Sequence, residues 1–144
     1  MINEPSTAGL DLQDPTASLE TYLSTPALNG APLFILFVAS KDVTTGAPWC
    51  PDVRAALPVV TEFFENHGTT LNFLKVEVGD KLAWKEKENV FRTRWGLTAI
   101  PTLGKYAMLD LGGEKVVAVG NLVENECLDV EKLTNLVEGS VYNL

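Results

Sequence analysis

Cys50 stands between Trp49 and Pro51, and Asp52 and Val53 follow. Proline suits the first position of a helix, where its missing N–H is no loss. The pattern therefore places a thiol at a helix start, facing unpaired N–H groups and the positive end of the helix dipole. Both favour a thiolate, the form that attacks disulfides. Asp52 opposes this with a negative charge close by. Disulfide reduction by a paired site takes two steps: one thiolate forms a mixed disulfide and a second cysteine resolves it. The second sulfur would sit three residues on, where this chain has Val53. The first step is available and the second needs a thiol from outside, glutathione or another small thiol. A free cysteine that is only a small buried hydrophobe is the plain alternative.

The remaining reactive side chains are few. Cys127 is the other cysteine, read either as a structural thiol or as a distant resolving thiol. His67 is the sole histidine; it falls at the expected end of the helix that begins at Pro51, where it suits the dipole. Lys41 and Asp42 either border the site or are solvated loop charges. Two cysteines and one histidine form no zinc-ligand cluster, and no metal or other cofactor is expected. The net charge of -8 argues against nucleic acid or an anionic membrane as partner, since both need clustered Lys and Arg. No stretch approaches the ~18 apolar residues of a membrane span, and the first residues lack the basic start and apolar run of a secretory signal. A cytoplasmic location is expected, with both cysteines reduced.

The elements that position Cys50 follow from periodicity. Residues 1–15 read as a flexible tail, leaving 16–144 as one domain. Leu19, Tyr22 and Leu23 predict a short helix over Thr16 to Leu28, with Thr16 as its cap. The apolar run from Pro32 to Ser40 predicts a strand buried on both faces, hence the centre of a helix-covered sheet. A polar loop then leads to Trp49. Val53, Leu57, Val60, Phe63 and Phe64 give the helix after Cys50 an apolar face to His67, with Pro58 inside it. Leu71 to Val78 reads as a strand, and Leu82 to Trp95 as a charged helix with Trp84, Phe91 and Trp95 inward. Ala99-Ile100-Pro101-Thr102 leads into a strand through about Leu109, and a turn at Gly112-Gly113, a partner strand from Glu114 to Gly120 and a helix from Asp129 to Gly139 complete the chain. This is an α/β chain with parallel strands in its first half and an antiparallel hairpin in its second.

That order, the Trp49-Cys50-Pro51 helix start, Pro58 eight residues after Cys50, and Ile100-Pro101-Thr102 together resemble the thioredoxin fold. Ser40-Lys41-Asp42, Trp49 to Asp52, Val78 to Lys81 and Asn125 to Leu128 resemble, more closely, small proteins of the thioredoxin domain-containing protein 17 type. The resemblance covers roughly residues 16 to 140. It implies a thioredoxin-like fold with a central mixed four- to five-stranded sheet flanked by helices. It also implies that Pro101 is cis and packs beside the reactive cysteine, against the plain reading of a trans turn proline. The active-site residues would be Cys50 with Trp49, Pro51, Asp52, Val53, Ile100 and Pro101 around it. The chain departs from the family pattern at Val53, where members carry a second cysteine. The expected function is a thiol-disulfide oxidoreductase of monothiol type acting on disulfide-containing peptides or proteins. The alternative is a redox-inactive module that binds an extended peptide beside Ile100.

Overall fold

The computed structural model describes residues 1–140, the side chain of Ala118 excepted. The last four residues of the expected domain, 141–144, lie outside it. Five strands, β1 (Ile2–Asn3), β2 (Leu33–Val38), β3 (Leu71–Glu77), β4 (Thr102–Leu111) and β5 (Glu114–Val123), form one mixed sheet in the order β1-β3-β2-β4-β5. Its centre is β2 (Leu33–Val38), in which all six side chains are buried, as a strand covered on both faces requires. On one side β2 pairs in parallel with β3 (Leu71–Glu77), through a crossover that carries α2 (Pro51–Asn66). On the other side it pairs antiparallel with β4 (Thr102–Leu111), which turns at Gly112-Gly113 into β5 (Glu114–Val123). Both turn glycines have positive φ (65° and 93°), which the tight hairpin needs. No helix among the described residues is long and apolar enough to cross a membrane.

The first fifteen residues are not a loose tail. Ile2–Asn3 form β1, a parallel edge strand on β3 in register with Leu71 and Asn72. The Asn3 side-chain amide donates to Asn72 Oδ1 (2.7 Å), and Asn72, buried within β3, donates to the carbonyl of Leu28 (2.9 Å). Leu10 joins the core, the Tyr22 hydroxyl donates to the Ser6 carbonyl and the Trp95 indole to that of Leu12. A polar segment is thus held by backbone and amide hydrogen bonds, which leave no hydrophobic periodicity to read.

Helix α1 (Pro15–Leu23) is capped by Asp14, not Thr16, and Pro26–Leu28 form a separate 3-10 turn. The charged helix expected over Leu82 to Trp95 is two short ones, α3 (Lys81–Lys85) and α4 (Val90–Thr93). Asn89 accounts for the break. Its side chain accepts from the Phe91 N–H to cap α4, while its amide donates to the Ala83 carbonyl at the end of α3 (2.9 Å). Trp84 and Phe91 are buried, and Trp95 is half-buried against Phe37. After β5 a 3-10 turn (Glu124–Leu128) leads to α5 (Val130–Glu138), capped by Asp129.

Candidate functional site

The site begins just beyond β2, at Ser40. The loop to Trp49 is closed by an antiparallel bridge between Lys41 and Pro48, and the Asp42 carboxylate accepts from the backbone N–H of Thr44 and Thr45. Lys41 and Asp42 are both exposed. Trp49 lies half-buried at the end of this loop, its indole N–H donating to the carbonyl of Gly79 (3.0 Å). The N–H of Ser40 donates to the same carbonyl (3.1 Å). Gly79 has φ +111°, and a Cβ there would stand 2.9 Å from that of Ala83, so the anchor for Trp49 needs glycine.

Cys50 is the N-cap of α2, with extended backbone (φ -91°, ψ 123°) and Pro51 in the first helical position. Its carbonyl accepts from the Arg54 N–H (3.1 Å), while its half-buried side chain makes no capping hydrogen bond. The sulfur is therefore not consumed by the helix it starts. Pro51 and Asp52 are exposed, and Arg54 reaches back to the Pro48 carbonyl (2.7 Å), fastening the loop to the helix. Val53 faces the opposite way. It is 0% exposed and continues into the buried stripe of Ala56, Val60 and Phe64. The position that a second sulfur would occupy is filled by hydrocarbon.

The Ile100–Pro101 bond is cis, and both side chains are buried. The Pro101 carbonyl accepts from the N–H of Glu124 (2.8 Å). Glu124 and its neighbours Val123, Asn125 and Glu126 line one cavity with Asp52. Glu124 thus holds to the proline turn by its backbone while lining a cavity with Asp52 from the first turn of α2. The backbone of Ile100 makes no hydrogen bond among the described residues.

The residues expected around Cys50 divide. Trp49, Pro51 and Asp52 flank it in the chain, Val53 lies in the core, and Ile100 and Pro101 are tied by the Pro101 carbonyl to Glu124, which lines a cavity with Asp52. Cys127 belongs to the 3-10 turn before α5 and is 0% exposed. Its thiol donates to the Leu122 carbonyl (3.5 Å). Burial pushes it up to about 11, against a lowering contribution from the Leu103 N–H and with a raising one from the Glu126 charge. Both cysteines are free thiols. His67 caps the far end of α2, 3.4 Å from Glu138 Oε1. Among the described residues no group of three His, Cys, Asp or Glu is placed to hold a metal ion.

Glu124 was not legible as a site residue. It has φ +53°, a conformation more usual for glycine or asparagine than for glutamate. Arg54 was equally silent, since its role is a single bond to a loop carbonyl.

The profile described as thioredoxin domain-containing protein 17-like, thioredoxin domain, matches residues 16–129. The chain belongs to this family. It is 41% identical over 121 residues to a thioredoxin domain-containing protein of Schizosaccharomyces pombe, covering 84% of this chain and 94% of that one. Human thioredoxin domain-containing protein 17 is 39% identical over 110 residues, 76% of this chain and 77% of the relative. A tryparedoxin of Trypanosoma brucei brucei is 34% identical over 74 residues, 51% of this chain and 43% of its own. Family membership carries a thioredoxin-fold, redox-type function.

Proposed function

We propose that this chain is a thiol-disulfide oxidoreductase of monothiol type, acting in a reducing compartment such as the cytoplasm. The Cys50 thiolate attacks one sulfur of a substrate disulfide, forming a mixed disulfide and expelling the other sulfur as a thiolate. A soluble thiol, glutathione or one like it, then attacks that mixed disulfide and returns Cys50 as thiolate. That attack falls on the substrate's sulfur and leaves it joined to the soluble thiol; a second equivalent of soluble thiol then releases it, so the substrate's two sulfurs gain two electrons and the two external thiols, joined as a disulfide, lose two. One observation carries the reading: a half-buried sulfur uncommitted to capping, with a fully buried valine where an internal resolver would sit. Cys127 is buried and protonated at neutral pH, which counts against it as a resolving thiolate.

The experiment is incubation with oxidised glutathione, followed by intact mass and by turnover of a glutathionylated peptide under excess glutathione. Selective adduct formation at Cys50, and turnover abolished by Cys50→Ser, support the reading; an unmodified Cys50 ends it. The free backbone of Ile100 favours a second reading, a module that pairs an extended peptide beside Pro101 without redox chemistry. That reading predicts peptide binding unchanged by Cys50→Ser.

A further inference from the structure

Away from Cys50, a cavity of about 410 Å³ lies between α1 and the β4–β5 hairpin. That volume falls within the roughly 300–1,000 Å³ of small-molecule sites. Its floor is aromatic: Trp95 and Tyr106 meet edge to face, ring centroids 5.7 Å apart. The Trp95 N–H is already committed to the Leu12 carbonyl, so the indole offers the cavity apolar surface. Leu19 and Val117 wall it.

Its charged lining is uneven. Arg94 and Lys115 both line the cavity, against the single carboxylate of Glu20. Among the described residues neither cationic side chain has a hydrogen-bond or ion-pair partner. The chain as a whole is strongly acidic, with 19 carboxylate residues to 11 basic ones, so a net positive cavity is a local feature. An apolar floor beneath two uncommitted cations matches a ligand with a flat hydrophobic body and one anionic group. Aromatic faces take up the body by offset or edge contact. The guanidinium offers paired donors to a carboxylate or sulfonate.

We propose that this cavity binds a small aromatic monoanion, an arene carboxylate or sulfonate, independently of the thiol site. Nothing in the chemistry of Cys50 uses these residues.

The test uses the full chain and anilinonaphthalene sulfonate as probe, with phenylnaphthylamine as its uncharged counterpart. Binding is followed by fluorescence and located by amide chemical shifts. The expected result is one bound sulfonate per chain, shifts centred on Trp95 and Val117, and roughly tenfold weaker binding of the uncharged probe. The double variant Arg94→Ala/Lys115→Ala, exposed and so expected to fold, should lose a similar factor. Added salt should weaken the sulfonate alone. Cys50→Ser should bind like the unaltered chain. Absence of binding, equal affinity for both probes, shifts elsewhere, or indifference to the double variant would each overturn the proposal.

Discussion

Replacing Val53 with cysteine asks whether one sulfur is all that separates this site from a self-sufficient dithiol centre. Side chains three residues apart on the first helical turn lie about 5–6 Å apart. A disulfide tolerates Cα separations of roughly 4.4–6.8 Å. Val53 is fully buried, so the exchange removes packed hydrocarbon and costs the reduced protein about 1 kcal/mol. Closing the short loop from 50 to 53 constrains the unfolded chain by about 2 kcal/mol, so the oxidised variant should be the more stable form. The assay is release of thionitrobenzoate on mixing with one equivalent of dithiobis-nitrobenzoate, read with intact mass. The unaltered chain should release one thionitrobenzoate and keep the other as an adduct on Cys50. Val53→Cys should release both and end as an internal disulfide with no adduct. A persistent adduct on the variant would refute the reasoning, because the scaffold could then not bring a second sulfur to the first. Release of both from the unaltered chain would refute it differently, by showing that an internal thiol already resolves Cys50.

Cys127 should escape iodoacetamide at pH 8 in the folded chain and react once the chain is denatured, as labelling followed by mass will show. Because burial raises its thiol from 9.0 to about 11, its contribution to stability is complete below pH 9 and is lost as pH rises towards 11. Urea unfolding at pH 8 and pH 10.5 should therefore show a steeper decline for the unaltered chain than for Cys127→Ala, by up to about 2 kcal/mol. Lys105 is 1% exposed, its ammonium donating to the carbonyls of Leu136 (2.8 Å) and Gly139 (2.9 Å) at the end of α5. Lys105→Met should cost roughly 1–3 kcal/mol in the same unfolding assay, because those carbonyls lose their donor. The carboxylates of Asp52 and Glu124, on the cavity at the start of α2, should make cationic disulfides react faster than anionic ones, while Glu126 is paired with Lys132. At about 8 Å in water each charge pair changes the rate about twofold. Cystamine should thus modify Cys50 several-fold faster than oxidised glutathione at low salt, with the gap narrowing in Glu124→Gln; equal rates would remove these carboxylates from the account.

The parts of the fold that a sequence shows are those whose physics is local. Six consecutive buried side chains in β2, the 3.6-residue stripe of α2 and a Gly-Gly turn each leave a pattern in a short window. So does a cysteine before a proline, which is why Cys50 was placed correctly at the start of α2. The misread parts depend on distant partners. The strand at Ile2–Asn3 exists because Asn72, some seventy residues away, accepts its amide. The helix expected over residues 82–95 is interrupted because Asn89 finds a better use closing one turn and opening the next. Lys105 sits at an inward position of β4, where alternation alone gives no reason for a charge; its reason is the end of a helix formed thirty residues later. Glu124 shows the same limit within the site, since its backbone is set by the carbonyl of Pro101.

The valine beneath Cys50 also decides how this site withstands oxidants. A thiolate oxidised by peroxide becomes a sulfenic acid, which is normally rescued by condensing with a nearby thiol. Here the neighbour on the helix is a branched hydrocarbon, and the other cysteine is sealed in the core. On the monothiol reading proposed above, a sulfenic acid at Cys50 would be rescued by a thiol from solution or by condensing with a backbone nitrogen, and would otherwise advance to the irreversible sulfinic acid. Protection of Cys50 is therefore a matter of kinetics in the surrounding medium. On that reading, the lifetime of the site under oxidative load would follow the concentration of small thiols around it.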